Sequence, residues 1–129
     1  MKSDHQKAAI YNELFAPKLS YGNQKTLQII DAAIECYAEA GIDGVTMDQV
    51  ATECGVSRPL VIHDFNSKHE LFDLVVKRIR LNFQRVAIEA IQTVDTPTAR
   101  LKAYVQSTFD WTVKYPTHLK VWMLYLYQC

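Results

Sequence analysis

Residues 46–65, TMDQVATECGVSRPLVIHDF, decide how the rest of the chain is read. Thr46 stands three residues before Gln49, the spacing of a capping box, so a helix starts there. Met47, Val50, Ala51 and Cys54 then recur at i, i+3, i+4 and i+7, one apolar face of that helix. Gly55 ends it. Val56 is apolar and should point inward. Ser57 is a good N-cap for a next helix, and Pro59 in its first turn costs no hydrogen bond. Val61 and Phe65, four apart, form the buried face of this second short helix. Helical phase then puts Pro59 and His63 opposite the core, with Ile62 and Asp64 on the flanks.

Upstream, Leu27, Ile30, Ile34, Tyr37 and Ala38 share one face of a preceding helix, from about Gln24 to Gly41, the usual residue for a left-handed cap. Downstream, Ser67 and Glu70 form another capping box and open a long fourth helix with a seam through Leu71, Val75, Ile79, Phe83 and Val86. Thr96 and Pro97 open a fifth, with Leu101, Val105, Thr108, Phe109 and Thr112 on one side. Pro116 opens a sixth, dense in apolar groups from Leu119 to Tyr127. A helix so apolar needs cover on most sides. It is therefore expected to belong to the front part of a longer design, or to be covered by another chain. Residues 1–20 read as an N-terminal arm; Ile10 with Leu14, and Tyr11 with Phe15, would also suit a short helix before Pro17. Strand-like alternation is absent and the class is all-α.

The 129 residues fit one core, or a small head plus part of a second domain. Hydrophobic residues make up 49% of the chain, which is globular rather than disordered composition. The net charge is zero, so global charge points to no partner. No apolar run approaches the roughly 18 residues that span a bilayer, and the first residues lack the apolar core of a secretion signal. The three cysteines, Cys36, Cys54 and Cys129, have no C-x-x-C spacing. Cys36 and Cys54 are expected to be small core residues in a reducing cytoplasm.

Two helices of about eight residues joined by Gly55, Val56 and Ser57 make helix-turn-helix chemistry. Small Ala51 lets the helices cross closely, glycine turns the chain, the apolar residue plugs the turn, and serine caps the helix that lies in the major groove. With its neighbours, the segment resembles the N-terminal domain of TetR-family transcriptional regulators. The residues that carry the resemblance are IIDAAIECYAEAGIDGVTMDQVATECGVSRPLVIHDFNSKHELFDLVV, 29–76. The family pattern places a helix ending at Gly41, then Thr46, Val50-Ala51, Gly55-Val56-Ser57, Phe65, Ser67-Lys68 and Leu71-Phe72 at these intervals. The later helices match only in kind.

The resemblance implies an all-α chain in three parts: an arm over 1–20, a helix-turn-helix DNA-binding domain over 21–68, and a partial helical ligand-binding and dimerisation domain over 69–129. It implies a cytoplasmic repressor, not an enzyme and with no membrane role, that binds double-stranded DNA at a palindromic operator. It also implies an unknown small-molecule effector, and a homodimer where the helices that follow the sixth in that family are present. By position, Thr46 and Lys68 would hold phosphates from helix N-termini. Ser57 caps the recognition helix, and Arg58, Pro59, Leu60, Ile62 and His63 would face the groove. Phe83, Tyr104, Phe109, Trp111 and Trp122, with Tyr115, would line an apolar effector pocket.

The departures from the pattern lie in the recognition helix. Family members commonly carry tyrosines where this chain has Ile62 and Asp64. Ile62 can press on a thymine methyl but cannot hydrogen-bond a phosphate. A carboxylate about 6 Å from a phosphate repels it by on the order of 1 kcal/mol. Asp64 therefore either accepts from a cytosine amino group or turns toward Lys68 and braces the fourth helix; the brace is the expected outcome. Between residues 18 and 68, Lys18, Lys25, Arg58 and Lys68 face seven acids, so the head is net negative and non-specific DNA affinity should be weak. The alternative is a helical interaction module that keeps the scaffold without DNA binding. His63, His69 and His118 have no metal-ligand spacing, His63-Asp64 has no positioned nucleophile beside it, and no cofactor, metal site or catalytic residue is implied. Lys77, Arg78, Arg80 and Arg85 read as a solvated helix face.

Overall fold

The computed structural model describes residues 21–128, and its described elements are six α-helices. In chain order they are α1 (Tyr21–Ala40), α2 (Met47–Cys54), α3 (Arg58–Asp64), α4 (Lys68–Gln92), α5 (Pro97–Lys114) and α6 (Pro116–Gln128). The expectations for residues 1–20 lie outside the described residues. The described chain gathers into two compact units that divide between Val75 and Val76, inside α4. The sequence reading divides the chain at 68/69, at the cap of α4. The structural division falls two turns later, because Leu71, Leu74 and Val75 are buried and cluster with the head.

In the head, α1 packs on α2 and α2 on α3. The whole expected face of α1 is buried, and so are Ile29, Ala32 and Ala33. This helix is therefore covered on more than one side, which a single apolar stripe would not show. Tyr37 meets Phe72 of α4 edge-on, with ring centroids 5.2 Å apart. Gly41 closes α1 at φ 78°, and its N–H donates to the Tyr37 carbonyl. Val45, Val50, Ala51, Val61 and Phe65 complete the core. Cys36 and Cys54 are free thiols at its edge, half-buried rather than inside it. Cys36 lies near the exposed acids Glu53, Glu39 and Glu35, and Cys54 near Lys25 and Asp31. Burial first, then the neighbouring carboxylates of Glu53, Glu39 and Glu35, push the Cys36 thiol up. Burial does the same to Cys54.

In the second unit α5 packs on α6. Thr96 caps α5, its hydroxyl accepting from the Ala99 N–H. The expected face of α5 is corrected. Leu101, Val105 and Phe109 are exposed, Phe109 by 66%. The helix instead buries Ser107 and Trp111, with Thr108 and Thr112 half-buried. Trp111 is held on the inner side by its edge-on contact with Phe83 and its hydrogen bond to Asn82, both on α4. In α6 only Val121 is buried, and Met123, Leu126 and Tyr127 are exposed. No described helix is long and apolar enough to cross a membrane.

Candidate nucleic-acid interface

The two short helices are held at their junction by local chemistry. The Thr46 hydroxyl accepts from the Gln49 N–H at 3.2 Å, and the Gln49 side chain accepts from the Thr46 N–H at 2.8 Å. Both halves of the capping box are therefore present. At the other end of α2, Gly55 adopts φ 76°, and the N–H groups of Gly55 and Val56 return to the carbonyls of Thr52 and Ala51. That is the double bond pattern of a Schellman-type stop, and it needs the left-handed region that glycine enters at least cost. Ser57 then caps α3, its hydroxyl accepting from the Leu60 N–H at 3.4 Å. Val56 is half-buried in the turn.

This geometry exposes one face of α3. Val61 and Phe65 are fully buried, while Arg58, Pro59, Ile62 and His63 are exposed and Leu60 is half-buried. The His63 side chain is 85% exposed. Thr46 and Ser57 are exposed as well. Each cap hydroxyl uses a lone pair on a backbone N–H and keeps its own proton to donate outward. Lys68, half-buried at the start of α4, donates to the Asp43 carbonyl at 3.3 Å.

Asp64 corrects one expectation. It turns away from the exposed face, but its brace does not run to Lys68. It accepts from the Thr26 hydroxyl of α1 at 3.1 Å, with its side chain 19% exposed. Its other oxygen lies 3.3 Å from His63 Nδ1. Arg58 also has a partner that spacing alone did not suggest. Its Nε is 3.4 Å from an oxygen of Asp48, in the first turn of α2. Thr26 is separated from Asp64 by 38 residues, and no periodic signal in a sequence links positions so far apart.

The second unit contains a cavity of about 270 Å³. Ile79, Phe83, Trp111, Leu119 and Trp122 form its apolar wall, and Arg80, Thr108 and Thr112 are its polar members. The structure thus brings three of the five expected aromatic residues, Phe83, Trp111 and Trp122, to one cavity. Tyr104 and Phe109 are not in its lining and are exposed. Trp111 stands edge-on to Phe83 at 5.4 Å between centroids and donates its indole N–H to Asn82 Oδ1 at 2.7 Å. Tyr115, tilted against Trp111, has its hydroxyl pKa lowered by a hydrogen bond with Asn82 and by the charges of Lys114 and Arg85. Among the described residues no group of His, Cys, Asp or Glu could hold a metal ion.

Two short capped helices joined by the Gly55–Ser57 turn and packed behind α1, the second with one exposed face, define a helix-turn-helix head. Residues 29–75, which hold most of α1, all of α2 and α3 and the start of α4, match the family model described as bacterial regulatory proteins, tetR family. The chain is 31% identical over 110 residues to the HTH-type transcriptional regulator BetI of Burkholderia thailandensis, across 84% of this chain and 56% of that protein. It is 28% identical over 111 residues to the regulator of the same name from Escherichia coli, across 84% and 57%. The crystal structure of a TetR-like transcriptional regulator from Rhodococcus sp. RHA1 superposes with a TM-score of 0.72 at 23% identity, over 81% of this chain and 57% of that one. This last likeness is one of fold. The chain spans a little over half the length of the curated relatives it matches.

Proposed function

We propose that this chain is a transcriptional regulator, a repressor rather than an enzyme, that works in the cytoplasm on double-stranded DNA. In this reading residues 21–68 carry the DNA contacts and residues 69–129 carry the regulatory part. Arg58, Pro59, Leu60, Ile62 and His63 enter the major groove of one half of a palindromic operator. Thr46, Ser57 and Lys68 hold phosphates. The observation that supports this best is the two-sidedness of α3: Val61 and Phe65 are fully buried, while Arg58, Pro59, Ile62 and His63 stand bare on the other side. A surface helix always has an outer side; the one on α3 also follows directly on the turn of Gly55, Val56 and Ser57, as the second helix of a helix-turn-helix does.

A homodimer would set two such heads one DNA turn or a multiple of it apart, which gives affinity that one head lacks. A small apolar ligand in the α4–α6 cavity would modulate the hold on DNA. The second reading, a helical interaction module without DNA binding, has a specific observation in its favour. Asp48 neutralises Arg58 in a head that is already net negative. Retention of promoter DNA across a range of salt concentrations separates the two. A steep loss with salt is expected. Absent binding at low salt, together with a stable complex with another protein, would replace the first reading by the second.

A further inference from the structure

We propose that the cavity between α4, α5 and α6 takes a small monocarboxylate with an apolar body, its carboxylate held by Arg80. This rests on the reading that the second unit binds a small molecule, and it names the chemical class. The apolar part of the argument comes from Phe83, Trp111, Trp122 and Leu119 on the wall. The cavity, at about 270 Å³, is near the lower end of the ~300–1,000 Å³ of typical small-molecule sites, so the occupant is small.

The polar part comes from counting which donors remain. The Trp111 N–H is taken by Asn82. The Thr108 hydroxyl donates to the Tyr104 carbonyl and the Thr112 hydroxyl to the Phe109 carbonyl, so both offer a ligand only lone pairs. Arg80 remains. It is the one charged side chain among the described lining residues. It is exposed, so it stands at the rim, and no carboxylate among the described residues forms an ion pair with it. An aromatic wall would by itself also suit a cationic ligand. A guanidinium at the rim repels that cation and attracts a carboxylate, which it can grip with two parallel hydrogen bonds.

The chain reports its own binding, because Trp111 and Trp122 are its only two tryptophans and both line the cavity. Intrinsic fluorescence of the 129-residue chain is titrated with hexanoate and phenylacetate, with their neutral amides, and with hexyltrimethylammonium and benzyltrimethylammonium. The expected result is that at least one carboxylate binds about tenfold more tightly than its amide, and that neither cation competes with it. Arg80→Gln should remove that preference and leave amide binding unchanged. Equal binding of acid and amide, tighter binding of a cation, a preference that survives in Arg80→Gln, or no response to any probe would each overturn the proposal. DNA retention measured with the bound carboxylate distinguishes this site from the regulatory reading. Arg80-dependent binding that leaves DNA retention unchanged keeps the site and removes the regulation.

Discussion

Asp48 in the first turn of α2 holds the Nε of Arg58, the first residue of α3, at 3.4 Å, with both side chains more than half exposed. The pair crosses the turn that joins the two helices. It places Arg58 against a carboxylate at the start of the exposed face of α3 that is proposed to meet DNA. An exposed pair of this kind is worth less than about 1 kcal/mol, so DNA can break it. The Asp48 charge then stays behind and opposes phosphate. Asp48→Asn is expected to raise affinity for DNA several-fold and flatten sequence preference, because Arg58 is freed but no longer oriented. Arg58→Ala should lower affinity. Gel retention on promoter and random DNA checks both. Unchanged binding in both variants would remove Arg58 from the interface.

The Thr26–Asp64 hydrogen bond ties the last residue of α3 to α1 across the head. It is part-buried, so its loss is not fully recovered by water. Thr26→Val is expected to cost about 1 kcal/mol, read as a lower denaturant midpoint with an unchanged slope. Asp64→Asn keeps an acceptor for Thr26 and removes a negative charge near the exposed face of α3. It should leave stability within about 0.5 kcal/mol of the parent and DNA affinity equal or higher. A large loss of DNA affinity in Asp64→Asn would mean that the carboxylate itself contacts DNA, as an acceptor for a cytosine amino group.

The head was legible from sequence because its determinants are local. Thr46 and Gln49, Gly55, and Ser57 act within four residues of themselves, and each produced the expected cap or stop. Periodicity identified Val61 and Phe65 as the buried side of α3. It failed on α5, where Leu101, Val105 and Phe109 make an apolar stripe that the described fold leaves exposed while Trp111 faces inward. A stripe shows which groups could avoid water, but not which side of the helix its neighbours cover. The cavity was half legible: aromatic content marked Phe83, Trp111 and Trp122, but also Tyr104 and Phe109, which lie outside it. Pairings such as Thr26 with Asp64 and Asn82 with Trp111 depend on how distant turns of chain meet, and no spacing rule reaches them.

Gly55 offers a clean separation of strain from crowding. A Cβ added there would meet nothing within 4 Å, so the only obstacle is φ, +76°. Gly55→Ala is therefore expected to cost about 1–2 kcal/mol through the left-handed backbone alone. Gly55→Asn should cost less, since asparagine tolerates that region. Urea unfolding of the two variants tests the order. Equal stability of Ala and Asn would show that the backbone relaxes out of the left-handed region and that the turn does not depend on it.

Tyr37 carries the last expectation, and it has a pH sign. Its ring is fully buried and edge-on to Phe72, and its hydroxyl has no hydrogen-bond partner among the described residues. Burial, with a smaller contribution from Cys36, pushes the phenol up to about 12 from its usual 10.0. Below pH 10 both folded and unfolded chains keep the proton, and Tyr37 adds no pH dependence. Between 10 and 12 the unfolded chain releases its proton first, so stability falls as pH rises, by on the order of 1.4 kcal/mol per unit. Tyr37→Phe removes both the unsatisfied hydroxyl and this slope while keeping the ring. It is expected to be more stable than the parent by about 1 kcal/mol at neutral pH, with a larger advantage above pH 10. Thermal or urea unfolding at pH 7 and pH 11 measures both effects. A Tyr37→Phe chain less stable at pH 7 would mean that the hydroxyl is satisfied inside the head, and the unsatisfied-hydroxyl account would then be wrong.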